Sequence, residues 1–249
     1  MSERCSLGEG FKQYFQVVAA TTEDLRADVY RIRHEVYCED LGFEAIRPDR
    51  QEIDAYDRHS VHCLMRGVAE PHDLVGCARM VLAQPEDVDA PLPFEILCRD
   101  TIDRSIIDPA RLDRTHIGEI SRLAVRSRYR RRRGEEHVSV GIGEEDFGSN
   151  DNPRFPYIPI GLYLAATALA KHLNIEWVFV LTEPRLASHL GKLGLEITQI
   201  GPPVEHRGAR VPSMFNTERT LKSMRALIRP IWGVVEEGIE RSLENSFSR

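Results

Sequence analysis

The chain has 249 residues, 42% of them hydrophobic and 29% charged, with a formal net charge of −6. That composition is ordinary for a soluble globular protein, and the length fits one large domain spanning 1–249 that buries its core without disulfide or metal staples. No apolar run approaches the roughly 20 residues needed to span a bilayer. The opening MSERCSLGEGFKQYF lacks the apolar core of a secretory signal, so no transmembrane segment and a cytoplasmic location are expected. Five cysteines (Cys5, Cys38, Cys63, Cys77, Cys98) are scattered, odd in number and without a C-x-x-C pair. Reduced thiols fit this better than a zinc ribbon or a disulfide framework.

Residues 21 to 41 read as an amphipathic helix. Thr21 and Asp24 have capping-box spacing, and Leu25, Val29, Ile32 and Val36 recur at helical intervals up to a stop at Gly42. A second seam, Arg26-Tyr30-Arg33-Tyr37, runs beside the apolar one. A charged loop to Asp57 leads into a predicted hairpin, Val61–Val68 and Leu74–Leu82. Prolines interrupt residues 83 to 116, and Ile117–Val125 is the next strand. Acids, glycines and prolines over 134–159 suggest a flexible insertion. A helix at Ile160–Leu173, with one apolar side, precedes a buried strand at Trp177–Leu181. A short helix from Pro184 to Gly194, a strand at Leu195–Ile200 and a helical tail from Thr217, broken by Pro230, complete the pattern. This α/β order fits a single mixed sheet flanked by helices.

Two groups of residues carry chemistry. Glu52, Asp54 and Asp57 crowd one loop, where a solvated surface is the ordinary reading. Arg33 borders the buried face of its helix, however, and Arg79 shares a strand face with Val75, Cys77 and Val81. A buried arginine needs an anionic partner, and these carboxylates can supply it. In the second group, Glu119-Ile-Ser121-Arg122, strand alternation sets Glu119 and Ser121 on one face with Leu123 and Val125, and Arg122 on the other. A carboxylate among apolar neighbours is a candidate base. Arg122 joins Glu119 only if the strand bulges. His59-Ser-Val-His62-Cys63 has no second ligand cluster at zinc-like spacing, so it reads as strand residues and no metal is expected. Arg128, Arg130, Arg131, Arg132 and Arg133 form a dense basic patch in an acidic chain, which points to a local anionic partner. Only Tyr129 interleaves the run, leaving little stacking surface for nucleic acid.

Arg33-His-Glu-Val36-Tyr37, Phe43, Glu52-x-Asp54-x-x-Asp57, Gly76-x-x-Arg79, Phe94 and Glu119-x-Ser121-Arg122 agree in order and spacing with a known pattern. Across residues 30 to 125 the chain resembles the acyl-homoserine-lactone (autoinducer) synthases. It resembles still more the related N-acyl amino acid synthases and the PEP-CTERM exosortase-associated acyltransferases. Pro184 to Gly194 is similar to the late helix of GNAT proteins. The resemblance implies a GNAT-like α/β fold with a central mixed sheet. It also implies acyl transfer from an acyl carrier protein or coenzyme A thioester to a small amine or amino acid, with no tightly bound cofactor. Phe43 stands where autoinducer synthases carry tryptophan and Tyr37 where they carry phenylalanine. Together with the extra length, that favours an N-acyl amino acid over a lactone made from S-adenosylmethionine. The spaced glycines of the GNAT phosphate loop are absent from the Tyr129–Gly134 stretch, which favours the carrier protein as donor.

The chemistry implied needs a base, taken as Glu119 with Glu52 as rival, and Ser121 and Arg122 beside it. Oxyanion donors are expected from backbone N–H groups near Leu123–Val125. Arg33, Tyr37, Phe43, Asp54, Asp57, Arg79 and Phe94 would line the substrate site, and the arginine run would dock the acidic carrier. Four carboxylates against Arg33, Arg79 and Arg122 leave one negative charge to attract an ammonium group.

Overall fold

The structure, a computed structural model, describes residues 6–130 and 157–247 together with two-residue strands β5 (Gly148–Ser149) and β6 (Asn152–Pro153). Most of the predicted insertion at 134–159 thus lies outside the described residues, as do Arg131, Arg132 and Arg133. The main sheet takes β1 (Phe15–Ala19), β2 (Ser60–Gly67), β3 (Leu74–Leu82), β4 (Ile117–Val125), β7 (Trp177–Thr182), β10 (Ala209–Asn216) and β8 (Thr198–Gln199) in that order, with β9 (Val204–Glu205) also on β10. Every neighbouring pair is antiparallel except β4 and β7, which run parallel.

Helices cover both faces. On one, α4 (Tyr157–His172) packs between the sheet and α7 (Arg229–Phe247), with α1 (Leu7–Tyr14) alongside α7. That position explains why Ile160 through Ala170 are buried all round rather than along the one apolar side expected. The opposite face carries α2 (Glu23–Arg33) and α3 (Pro93–Leu97), each over its own apolar cluster. The remaining helices are α5 (Pro184–Lys192) and α6 (Thr217–Ser223).

The cap of α2 is Thr22, whose hydroxyl accepts from the Leu25 N–H at 3.3 Å, one residue beyond the predicted Thr21 box. Helical winding continues to Asp40 but widens into a π-helix over His34–Asp40. Gly42, at φ +63°, then reverses the chain, and the Tyr37 carbonyl accepts from Phe43 and Glu44 N–H groups at 2.7 and 3.0 Å. The expected strand at 195–200 shrinks to β8. Pro230 sits in the first turn of α7, where a missing N–H costs nothing, so the break precedes it. Strand β10 escapes sequence reading because Pro212 lies inside it, opposite Leu181, where a proline argues against a central strand.

Two irregularities of β4 create the site. Between β3 and β4 the register passes from Arg79 opposite Ser121 to Cys77 opposite Ala124, so β4 holds an extra residue, and Arg122 takes φ +50°. This bulge corrects the strict alternation read from sequence. Arg122 joins the face of Glu119 and Ser121, while Leu123 and Val125 pack in the cluster on the other face. Secondly, β4 pairs with β7 only from Ile117–Ile120 to Trp177–Val180; beyond Ile120 no ladder joins them.

Beside the bulge, a Cβ on Gly76 would stand 2.6 Å from the Ala124 carbonyl oxygen and 3.0 Å from Leu162. Gly76→Val is expected to cost about 1–3 kcal/mol by overpacking, read as a lower urea midpoint at unchanged m value.

Candidate active site

Three guanidinium groups and three carboxylates form a network between α2, the 52–57 loop and the sheet. Arg33 is fully buried; its Nε donates to Glu52 at 2.5 Å and its two Nη atoms to Asp57 at 2.6 and 3.0 Å. Arg79, also buried, reaches Asp54 at 2.6 Å, Asp57 at 3.0 Å and the Ser121 hydroxyl at 3.0 Å. Arg122 donates to Asp54 at 2.9 Å and to Glu52 at 3.3 Å. Burial pushes the carboxylates up, but Arg33 and Arg122 outweigh it at Glu52, Arg79 and Arg122 at Asp54, and Arg33 and Arg79 at Asp57. All three are held below the usual carboxylate range, and charges in the network cancel. His62, 3.6 Å from Asp57, stays neutral because burial and Arg33 push it down to about 3.

Glu119 stands apart from this pairing. It is buried, and its Oε2 accepts the Phe94 backbone N–H at 2.8 Å. Burial raises its pKa to about 7, against the opposing pull of that N–H, Arg79 and Arg122. It is the one surplus carboxylate that the sequence count anticipated, and at neutral pH it exchanges a proton readily.

A cleft of about 300 Å³ opens where β4 and β7 part. Asp54, Tyr56, Arg79, Glu119 and Ser121 line its polar side. Ile120, Leu123, Tyr163, Val180, Leu186 and Leu190 line an apolar side toward α4 and α5. Tyr163 Oη and Thr182 Oγ1 are buried there with no hydrogen-bond partner among the described residues, free to meet a polar atom of a ligand. The cleft therefore joins a proton-exchanging carboxyl to an apolar channel, which suits transfer of a hydrophobic group to a nucleophile.

Residues 32–139 match the profile of the acetyltransferase (GNAT) domain. A CoA-dependent acyl-homoserine lactone synthase, BjaI, solved with SAM and isopentyl-CoA, superposes at a TM-score of 0.57 and 19% identity, over 87% of this chain and 89% of that one. The acyl-homoserine-lactone synthase LasI gives 0.55 and 17%, covering 84% and 93%. FeeM, an N-acyl amino acid synthase from uncultured soil microbes, gives 0.52 and 11%, covering 84% and 95%. A search of curated protein sequences gives no significant match. The chain has the GNAT acyltransferase fold.

On this GNAT fold, Arg33, Glu52, Asp54, Asp57, Arg79, Glu119, Ser121 and Arg122 converge as sequence reading required. Tyr37 and Phe43 stack at 6.4 Å on the rim, and the Tyr37 hydroxyl donates to the Leu123 carbonyl at 3.0 Å. Phe94 does not line the cleft; it stacks on Phe179 at 4.3 Å in the core and positions Glu119 through its backbone. Arg128 and Arg130 are ion-paired within the chain, to Asp73 and Asp40. Sequence reading missed His206 and Arg207 on the β9–β10 turn, Arg210 at the start of β10, and Tyr56, Tyr163 and Thr182, all of which line the cleft. Nothing local marks them, because only the fold brings those segments against β4. Among the described residues no helix is long and apolar enough to cross a membrane.

Arg33→Met keeps bulk but leaves Glu52 and Asp57 without their shared cation, at an expected cost of about 3–5 kcal/mol. Because the network carboxylates are depressed, their contribution is present above the unfolded value of about 4 and is lost as pH falls below it. Urea midpoints measured across that acid range should fall for the parent chain and fall less steeply for Arg33→Met.

Proposed function

We propose that the protein is an N-acyltransferase moving a fatty acyl group from an acyl carrier protein or coenzyme A thioester to the amine of an amino acid, in the cytoplasm. The observation that carries this reading is Glu119, a buried carboxyl with a pKa near 7 on the wall of a cleft with one apolar side. Residues 1–249 act as one catalytic unit.

The acceptor arrives as an ammonium, attracted by the surplus charge of Glu119, and gives a proton to its free oxygen. The neutral amine attacks the thioester carbonyl. Backbone N–H groups of the bulged Arg122–Val125 segment receive the oxyanion, since this stretch of β4 has no β7 partner. Collapse expels the thiolate, which takes up the second proton of the attacking nitrogen and leaves as the thiol; the amide remains, and Glu119 returns the first proton to solvent. Ser121 lies beside Glu119 and is fixed by Arg79. Glu52 is a poor base because Arg33 and Arg122 hold it ionised, so it orients Arg122. Tyr37 and Phe43 form the acceptor wall, with Asp54 and Asp57 holding the arginines behind it. A second reading, homoserine-lactone formation, is supported by the likeness to BjaI and LasI. Strict dependence of product on S-adenosylmethionine, with a lactone by mass, would select it.

Amide product should form from acyl thioester and an amino-acid mixture without S-adenosylmethionine. Glu119→Gln should lower kcat by roughly 10²–10⁴ with the fold intact. In the parent enzyme kcat/KM should rise with pH through about 7 as Glu119 loses its proton, and the variant should lack that limb. Full activity of Glu119→Gln would remove the assigned base.

The arginine run from Arg128 to Arg133 is the proposed docking patch for the acidic carrier. Replacing Arg131, Arg132 and Arg133 together by glutamine should raise KM for the acyl carrier thioester and flatten its salt dependence. The KM for the same acyl group on coenzyme A should not change, and kcat should hold for both donors.

A further inference from the structure

Glu44 is held between two walls of the cleft. Its Oε1 lies 3.5 Å from Arg122 on the β4 bulge and is ion-paired to Arg207 on the β9–β10 turn. The two guanidinium groups sit over adjacent aromatic rings, Arg122 over Tyr37 and Arg207 over Phe43, each 5.7 Å from the ring centroid. Those rings stack on each other, so the guanidinium positions are set by packing as well as by charge. We propose that Arg122 and Arg207 form a carboxylate subsite for the acceptor, in which the acceptor's own carboxylate replaces the side chain of Glu44. The inference rests on the reading of the cleft as amine-acylating and assigns these two arginines as the groups that hold the acceptor's carboxylate.

Four observations converge on it. First, Glu44 already shows that a carboxylate fits between these two arginines, and guanidinium groups match carboxylates by geometry as well as charge. Secondly, the pair is exchangeable: the side chains of Arg207 and Glu44 are 24% and 29% exposed, and a partly solvated ion pair has little net strength. The deeper pairs of Arg122, to Glu52 and Asp54, are untouched by the exchange. Thirdly, Arg207 takes a left-handed backbone at φ +57°, uncommon for a residue with a side chain, and Gly208 follows at φ +93°. That turn carries Arg207 to the rim. Fourthly, the local field is positive: burial, then Arg207, Arg122 and Arg210, push His206 below its ordinary value. Arg210 itself is paired with Glu183 at 3.2 Å. An incoming zwitterion matches the charges that line the cleft, its ammonium toward Glu119 and its carboxylate toward Arg122 and Arg207.

The test uses the full chain with dodecanoyl thioesters and paired acceptors that differ only by a carboxylate: tyrosine with tyramine, phenylalanine with phenethylamine, leucine with isoamylamine. The amino acid of a productive pair should exceed its amine in kcat/KM by at least roughly tenfold, the worth of a charged hydrogen bond. Arg207→Gln should raise KM for the amino acid by roughly 10- to 100-fold and leave KM for the amine and kcat for both unchanged. Arg207→Lys should recover part of the loss, and Glu44→Gln, which removes the internal competitor, should lower KM for the amino acid. Equal use of amine and amino acid by the parent enzyme, or an Arg207→Gln loss shared equally by both, overturns the subsite while leaving amide formation standing. Absence of any amide from every pair overturns the amine-acylating reading and the subsite with it.

Discussion

Every other feature of the site depends on the burial of Arg33. A guanidinium cannot be stripped of water in a protein core unless carboxylates replace its hydration. Glu52 and Asp57 do so directly, and their remaining lone pairs then call for Arg79 and Arg122. The network thereby pins a loop, a helix and two strands to one another through charge-assisted bonds, which are short and directional. A merely apolar contact between the same elements would fix their separation but not their rotation. The cleft inherits its shape from this fixed arrangement.

The same neutrality sets the chemistry. Were the network short of one carboxylate, its surplus positive charge would drag Glu119 down into the ordinary acid range. With three charges of each sign the pulls of Arg79 and Arg122 are offset, and desolvation dominates at Glu119. The bulge at Arg122 links the two. By placing an extra residue in β4 it turns the arginine into the network while sending Leu123 to the opposite face. One backbone irregularity thus completes the ion cluster and builds the transition from the polar to the apolar side of the cleft.

Much of this was legible in the sequence, for a physical reason. Arg33 and Arg79 sit where helical and strand periodicity demand apolar residues, and such conflicts mark places where charge must be compensated from elsewhere. The need for a bulge could be read from Arg122 being on the wrong face of an alternating strand. What stayed hidden was of two kinds. Phe94 resembled a substrate contact, yet its ring belongs to the core and only its backbone N–H serves the site, a distinction no residue type announces. Arg207 lies in a polar turn and Arg210 at the start of a strand disguised by Pro212, and their importance arises only when β10 pairs with β7. Periodicity reports burial along one element; it is silent about which distant loop will arrive at its end.

The parting of β4 and β7 also divides the molecule by heredity. The charged network falls within residues 33 to 122, whereas Tyr163, Val180, Leu186 and Leu190, which shape the apolar channel, come from later segments. Drift in α4, β7 or α5 can deepen or shorten the channel without disturbing an ion pair of the buried network. A lineage built on this fold can therefore change the length of the chain it carries while conserving its reaction, and the two traits are free to evolve at different rates.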